Sequence, residues 1–170
     1  MEILIIGLFL VALMVYASTR IKRTAAEAFN AERIETDDFI IEKPDGFLNV
    51  LNHDPSLEFD AYSKEFGADD ASGFRAARAE LTKRPETLDR AAKEIKAEIE
   101  AASDVSEIVD GHKYRVLEGR SDEKGIAFRE IYKLVEKDGH VFAMKLKMLV
   151  GVDADIIKRA ELMLASFEIK

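Results

Sequence analysis

The chain reads as an α+β protein, an antiparallel sheet with helices packed on its faces, preceded by one transmembrane helix. Three observations predict this. An uncharged run extends from Ile3 through Thr19 at the N-terminus. The C-terminal half alternates apolar and polar residues in stretches separated by turn signals such as Asp138-Gly139. Two other stretches, Pro85 to Ala102 and the one after Asp153, repeat apolar residues at steps of three and four, the helical period.

The N-terminal run holds ten Ile, Leu, Phe or Val residues between Ile3 and Ala17. As a helix, 3–19 would be about 25 Å long, a short span of a ~30 Å hydrocarbon core. Those ten side chains favour insertion by roughly 3 to 6 kcal/mol together. A cleaved signal would carry its positive charge before the apolar core and small residues at its end. Here Glu2 precedes the core, Arg20, Lys22 and Arg23 follow it, and Val15-Tyr16-Ala17-Ser18 is a poor cleavage site. An uncleaved anchor over 1–19 is therefore expected, with the membrane as partner through 3–19. The basic flank predicts a cytoplasmic soluble domain. The absence of cysteine fits a reducing compartment.

After the anchor, 20–38 reads as a helical tether and 39–170 as a single soluble domain. That length buries a sizeable core without disulfide or metal staples. The net charge of −8 argues against nucleic acid as a partner. Phe39-Ile40-Ile41 reads as a strand ended by the turn Pro44-Asp45-Gly46. Phe47 to Leu51 and Leu57 to Tyr62 read as further strands, with a polar loop from Phe66 to Gly73. Phe74 to Leu81 allows strand or helix, and strand is favoured by its alternation. Pro85 to Ala102 places Leu88, Ala91, Ala92, Ile95, Ile99 and Ala102 on one side of a helix. A three-strand meander follows, over His112–Glu118, Ile126–Glu136 and Val141–Val150. Asp153 then caps a helix to about Ser166, and a short last strand closes the chain.

Phe142, Met144, Leu146, Met148 and Val150 form one apolar strand face. A two-residue loop at Asp138-Gly139 would set Arg129 and Lys133 on that face, and a three-residue loop would set Ile126, Phe128, Glu130, Tyr132 and Leu134 there, with Glu130 near the edge of the core. Burying two unpaired cations costs several kcal/mol, roughly, so the three-residue register with a Gly139 bulge is expected. Lys113, Arg115, Arg129, Lys133, Lys145 and Lys147 would then share the other face. That cluster is the candidate surface for a protein partner or anionic headgroups, although acidic neighbours or water could equally cover it.

His53, His112 and His140 are scattered without metal-ligand spacing, and neither a phosphate-binding glycine loop nor a nucleophile elbow occurs. No catalytic set, metal or cofactor is expected. The element order resembles the PsbP-like and DcrB-like domains. The resemblance rests on the entry turn Pro44-Asp45-Gly46-Phe47 and on a closing helix that ends in Ala165-Ser166-Phe167. It implies an antiparallel sheet with helices on both sides and a binding or assembly role without known catalysis. It carries over no functional residue. Many such domains are extracytoplasmic, the alternative to the placement that the basic flank predicts. The expected function is a membrane-anchored, non-catalytic binding or assembly domain. The alternative is a small-ligand carrier or sensor with a pocket between sheet and helix.

Overall fold

The computed structural model describes residues 13–16, 18, 20 and 27–170. Most of the expected span 3–19, with Lys22 and Arg23, lies outside the described residues. Among the described residues, no helix is long and apolar enough to cross a membrane.

From Glu32 onward the elements are β1 (Glu32–Glu35), β2 (Phe39–Lys43), β3 (Phe47–Asn49), β4 (Leu57–Ser63), β5 (Ala77–Arg84), α1 (Leu88–Glu98), β6 (Glu100–Val109), β7 (His112–Glu123), β8 (Ile126–Lys137), β9 (His140–Leu149), α2 (Ala154–Ala165) and β10 (Glu168–Ile169). The strands form a three-stranded sheet, β1-β2-β10, and a seven-stranded sheet, β3-β4-β5-β9-β8-β7-β6, with antiparallel neighbours throughout. One face of the large sheet packs on α2 and the small sheet, burying Phe47, Phe59, Leu81, Phe142, Met144, Leu146 and Phe167. The other face packs on α1 only over Leu117, Tyr132, Leu134, Val141 and Ala143.

Several expectations need correction. Glu32–Glu35, inside the expected helical tether, is a strand, because Ile34 pairs with Ile41 and Arg33 reaches Glu42 at 2.7 Å. Helix α1 begins at Leu88, with Thr87 as its cap and the Glu136 carboxylate accepting from the Leu88 amide at 2.9 Å. It ends at Glu98 rather than Ala102, and Ile99 is already extended. The chain then runs straight into β6, so the meander has four strands. Gly119 allows this tight junction, since a Cβ there would lie 2.6 Å from the Glu100 carbonyl oxygen.

The three hairpins of the meander are built alike. Each has a two-residue loop with both residues in the left-handed region: Asp110-Gly111, Lys124-Gly125 and Asp138-Gly139. Such turns match the twist of the flanking strands. The last hairpin therefore has Lys137 opposite His140, Lys133 opposite Met144 and Arg129 opposite Met148. The three-residue bulge register is overturned. Arg129 and Lys133 point to the α2 face, and the six cations divide between the two faces.

The packing on the α2 face explains why this register is affordable. Lys133 is buried, yet its ammonium donates to the carbonyls of Ala165 and Phe167 at 3.1 and 2.9 Å and lies 4.9 Å from the Tyr114 ring centre. Carbonyls left over at a helix C-terminus carry partial negative charge and accept such a donor. Arg129 bonds Glu118 on β7 and Glu161 on α2, both at 2.7 Å. Neither cation is unpaired.

The two motifs at the ends of the domain also meet α2. Arg159 donates to the Asp45 carbonyl at 2.8 Å, holding the entry turn against α2. Lys43, buried at 1 % exposure, donates to the carbonyls of Asn30 and, at 2.8 Å, of Phe47. At the other end, the Ser166 hydroxyl accepts from the Glu42 amide at 2.9 Å and donates to the Met163 carbonyl at 2.7 Å, while Phe167 is fully buried.

Candidate functional site

Helix α1 is short, and it lies over one end of its sheet face. The rest of that face is left open as a lattice of polar side chains. Strand pairing sets the rows: Asp60, Glu80, Lys145 and Tyr132 stand side by side across β4, β5, β9 and β8, and Tyr62, Arg78, Lys147 and Glu130 form the next row. Because side chains alternate along a strand, every second residue of these strands is delivered to this surface.

Charges in the lattice are matched diagonally. Arg78 forks onto Asp60 at 3.0 and 2.9 Å and also touches Glu80 at 3.1 Å. Lys145 pairs with Glu130 at 3.0 Å and Lys147 with Glu123 at 2.6 Å. Lys147 also stands 4.2 Å from the centre of the Phe128 ring, which meets Phe74 edge to face. Three cations thus face four carboxylates, and the surface is a mosaic rather than a basic patch.

Glu130 is the deepest member, 3 % exposed, and it accepts from the Ser121 hydroxyl at 2.6 Å and the Tyr132 hydroxyl at 2.8 Å. Burial alone would push its carboxyl up, but the Ser121 bond, the Lys145 charge and the Tyr132 hydroxyl hold it below the ordinary range. Burial and the Glu130 carboxylate push the Tyr132 phenol far up, so it remains a hydrogen-bond donor. Between this row and α1 opens a cleft of about 530 Å³, with Glu80, Thr82, Ile95, Glu98, Tyr132 and Lys145 in its walls.

Of the six cations expected together, the structure brings Lys145 and Lys147 to the open lattice. Arg115 shares their face but is taken up by Asp104 at 2.8 Å and by Asp89 of α1 at 2.9 Å. Lys113 lies on the same face, exposed, near the β6–β7 turn. Arg129 and Lys133 serve the opposite face. The sequence reading missed Glu130, Ser121, Glu123, Asp60 and Arg78. The two-residue Asp-Gly loop was the signal that could have brought Glu130 opposite Lys147. Asp110 lies in a hairpin loop with His112 just after it, and Asp69 and Asp70 lie in an exposed 3-10 turn. Among the described residues, no group of three or more His, Asp or Glu side chains is placed to hold a metal ion.

This fold, a large antiparallel sheet with a helix on each face and a small sheet closing one side, is shared with the solved structures of PsbP and Mog1. Among solved structures, the chain is similar to the cyanobacterial PsbP protein of Synechocystis (TM-score 0.56, 12% identity, covering 84% of this chain and 94% of that one). It is also similar to LpqN of Mycobacterium tuberculosis, a protein involved in cell envelope biogenesis (TM-score 0.56, 14% identity, 83% and 91%). A third is the Ran-binding protein Mog1p of Saccharomyces cerevisiae (TM-score 0.54, 8% identity, 83% and 96%). No family model matches the chain, and no curated protein matches it. At these identities the likeness is one of fold.

Proposed function

We propose that the chain is a membrane-anchored, non-catalytic binding or assembly domain that docks a protein partner on the open half of the α1 face. The observation that carries this reading is the mosaic lattice beside α1: paired but partly exposed charges, with Phe74 and Phe128 at its border. Complementary charge mosaics select partners and suppress wrong ones more than they add affinity. The fold supports a binding role, because Mog1p is a Ran-binding protein and LpqN acts in envelope biogenesis. The uncharged run 3–19 would hold the domain at a membrane. Arg20, Lys22 and Arg23 would keep the domain on the cytoplasmic side. A small-ligand carrier is the second reading, favoured by the cleft between α1 and the sheet.

A photo-reactive residue in place of Phe74, in native membranes, should cross-link to one protein partner. The same residue in place of the exposed Lys158 of α2 should not. Lys147→Glu, set against Glu123 and Glu130, should reduce the Phe74 cross-link at least fivefold. Equal cross-linking from Phe74 and Lys158, or no effect of Lys147→Glu, would remove the lattice as the docking surface.

A further inference from the structure

The large sheet ends on one side in β6, and this edge is unlike the other strands among the described residues. It is ten residues long, and all ten are exposed. The opposite edge, β3, has three residues and starts at fully buried Phe47. Proteins usually blunt long edges with proline, lysine, a bulge or a covering element. β6 contains no proline, lysine or arginine, and its bulge lies at the far end, between Ala101 and Ser103. From Asp104 to Val109 the pairing with β7 is regular. In a two-residue hairpin the residues flanking the loop, here Val109 and His112, exchange both backbone bonds, and bonded and non-bonded pairs then alternate. Asp104, Ser106 and Ile108 consequently turn their N–H and C=O groups outward.

We infer that β6 is a strand-addition site that captures an extended, basic segment of a partner polypeptide. Outward backbone donors and acceptors at every second residue fit an added strand, which takes its affinity from main-chain hydrogen bonds. Side chains supply the selectivity. Val105, Ile108 and Val109 are 58, 76 and 38 % exposed, an apolar contact set along the edge. Among the described residues, Glu100 and Glu107 form no ion pair, whereas Asp104 is held by Arg115 and Lys96. The free carboxylates call for lysine or arginine alternating with apolar residues. They disfavour a second copy of this chain, whose own β6 is cation-free and whose net charge is −8. The edge is also pre-ordered, since Arg115 grips Asp104 through two nitrogens at 2.8 Å and the Lys96 ammonium joins them.

The test uses the full-length chain in detergent. The probe is a synthetic ten-residue peptide alternating valine with lysine or threonine, and the control carries glutamate for lysine. Fluorescence anisotropy should show saturable binding of the lysine peptide, and hydrogen exchange should slow at the Ser106 and Ile108 amides. The Ser106→Pro change removes an outward N–H while sparing the β7 ladder. It should weaken binding severalfold, up to about tenfold, as expected for one lost hydrogen bond. Glu107→Lys should weaken it at least severalfold and decides the matter should the proline variant unfold. Undiminished binding to both variants, equal affinity for the glutamate peptide, or self-association through β6 without peptide binding would each overturn the inference. These residues lie outside the lattice around Lys147, so this edge and that face can fail separately.

Discussion

The two faces of the seven-stranded sheet treat the same kind of residue in opposite ways. On the α2 face, Lys133 is buried without a carboxylate and is satisfied by the carbonyls of Ala165, the last residue of α2, and of Phe167 just beyond it. On the α1 face, Lys145 and Lys147 are partly exposed and are satisfied by Glu130 and Glu123. A cation on an apolar face is therefore no evidence against that face when a helix C-terminus comes down on it. The first arrangement ties the end of α2 to β8 through the carbonyls of Ala165 and Phe167. The second arrangement leaves charge at the surface, where a partner can exchange it for its own.

The largest break in this comparison is expected at Lys133. Lys133→Ala removes the buried stem and orphans two carbonyls, a loss of about 2 to 4 kcal/mol. Lys133→Met keeps the stem and should lose less, about 1 to 2 kcal/mol, by the orphaned carbonyls alone. The pH dependence separates the cases. Burial lowers the Lys133 pKa in the fold, so between its folded and unfolded values the unfolded chain binds more proton. Stability contributed by this group therefore rises with pH in that alkaline window. Denaturant midpoints compared at neutral and alkaline pH should show the rise in the wild type and its loss in Lys133→Met. A midpoint for Lys133→Met at or above wild type at pH 7 would mean that the carbonyls do not need the ammonium.

Glu130 is the counterpart on the other face, and its expected effect is smaller. Glu130→Gln keeps the shape but weakens three hydrogen bonds, costing about 1 to 2 kcal/mol at pH 7. Its folded pKa lies below the ordinary value, so its contribution is complete above the unfolded pKa of about 4.3 and fades as pH falls through the folded value. Thermal midpoints of wild type and Glu130→Gln should converge as pH falls from 7 to about 3. A gap that stays constant would mean that Lys145 and Ser121 do not stabilise the ionised form.

What the sequence revealed follows the strength of its periodic signals. Helix α2, its Asp153 cap and the closing strand were legible because apolar spacing and cap chemistry coincide there; the strand favoured for Phe74 to Leu81 lies over Ala77–Arg84, three residues later. β6 was not legible, since with every residue exposed it has no apolar period, and Asp110-Gly111 was its only local signal. Helix α1 was drawn too long because Ile99 continues the helical spacing while packing from an extended backbone. The hairpin register was lost to a sound rule applied without its partner. That rule penalises unpaired buried cations, but the partner of Lys133 is backbone 32 and 34 residues further on, which no local pattern announces. Of the three cations of the lattice, Lys145 and Lys147 were placed on one face from the sequence, and Arg78 was not. Their carboxylates follow only from the correct register.

The smallest effect should sharpen the comparison most. Lys147 pairs with Glu123, whose side chain is 45 % exposed, and leans on the Phe128 ring. A pair so open to water stabilises by about 0 to 1 kcal/mol, and a partly exposed cation–π contact adds about 0.5 to 1. Lys147→Ala should thus cost about 1 kcal/mol or less in urea denaturation, well under Lys133→Ala on the next strand. Salt should narrow the gap to wild type, because a pair at the surface is screened. The Lys133 deficit should barely respond to salt, because its partners are uncharged carbonyls in the interior. If Lys147→Ala instead cost as much as Lys133→Ala, the lattice would be part of the folding core. A partner could then not rearrange it without unfolding the sheet, and docking there would have to proceed by contact with charges already in place.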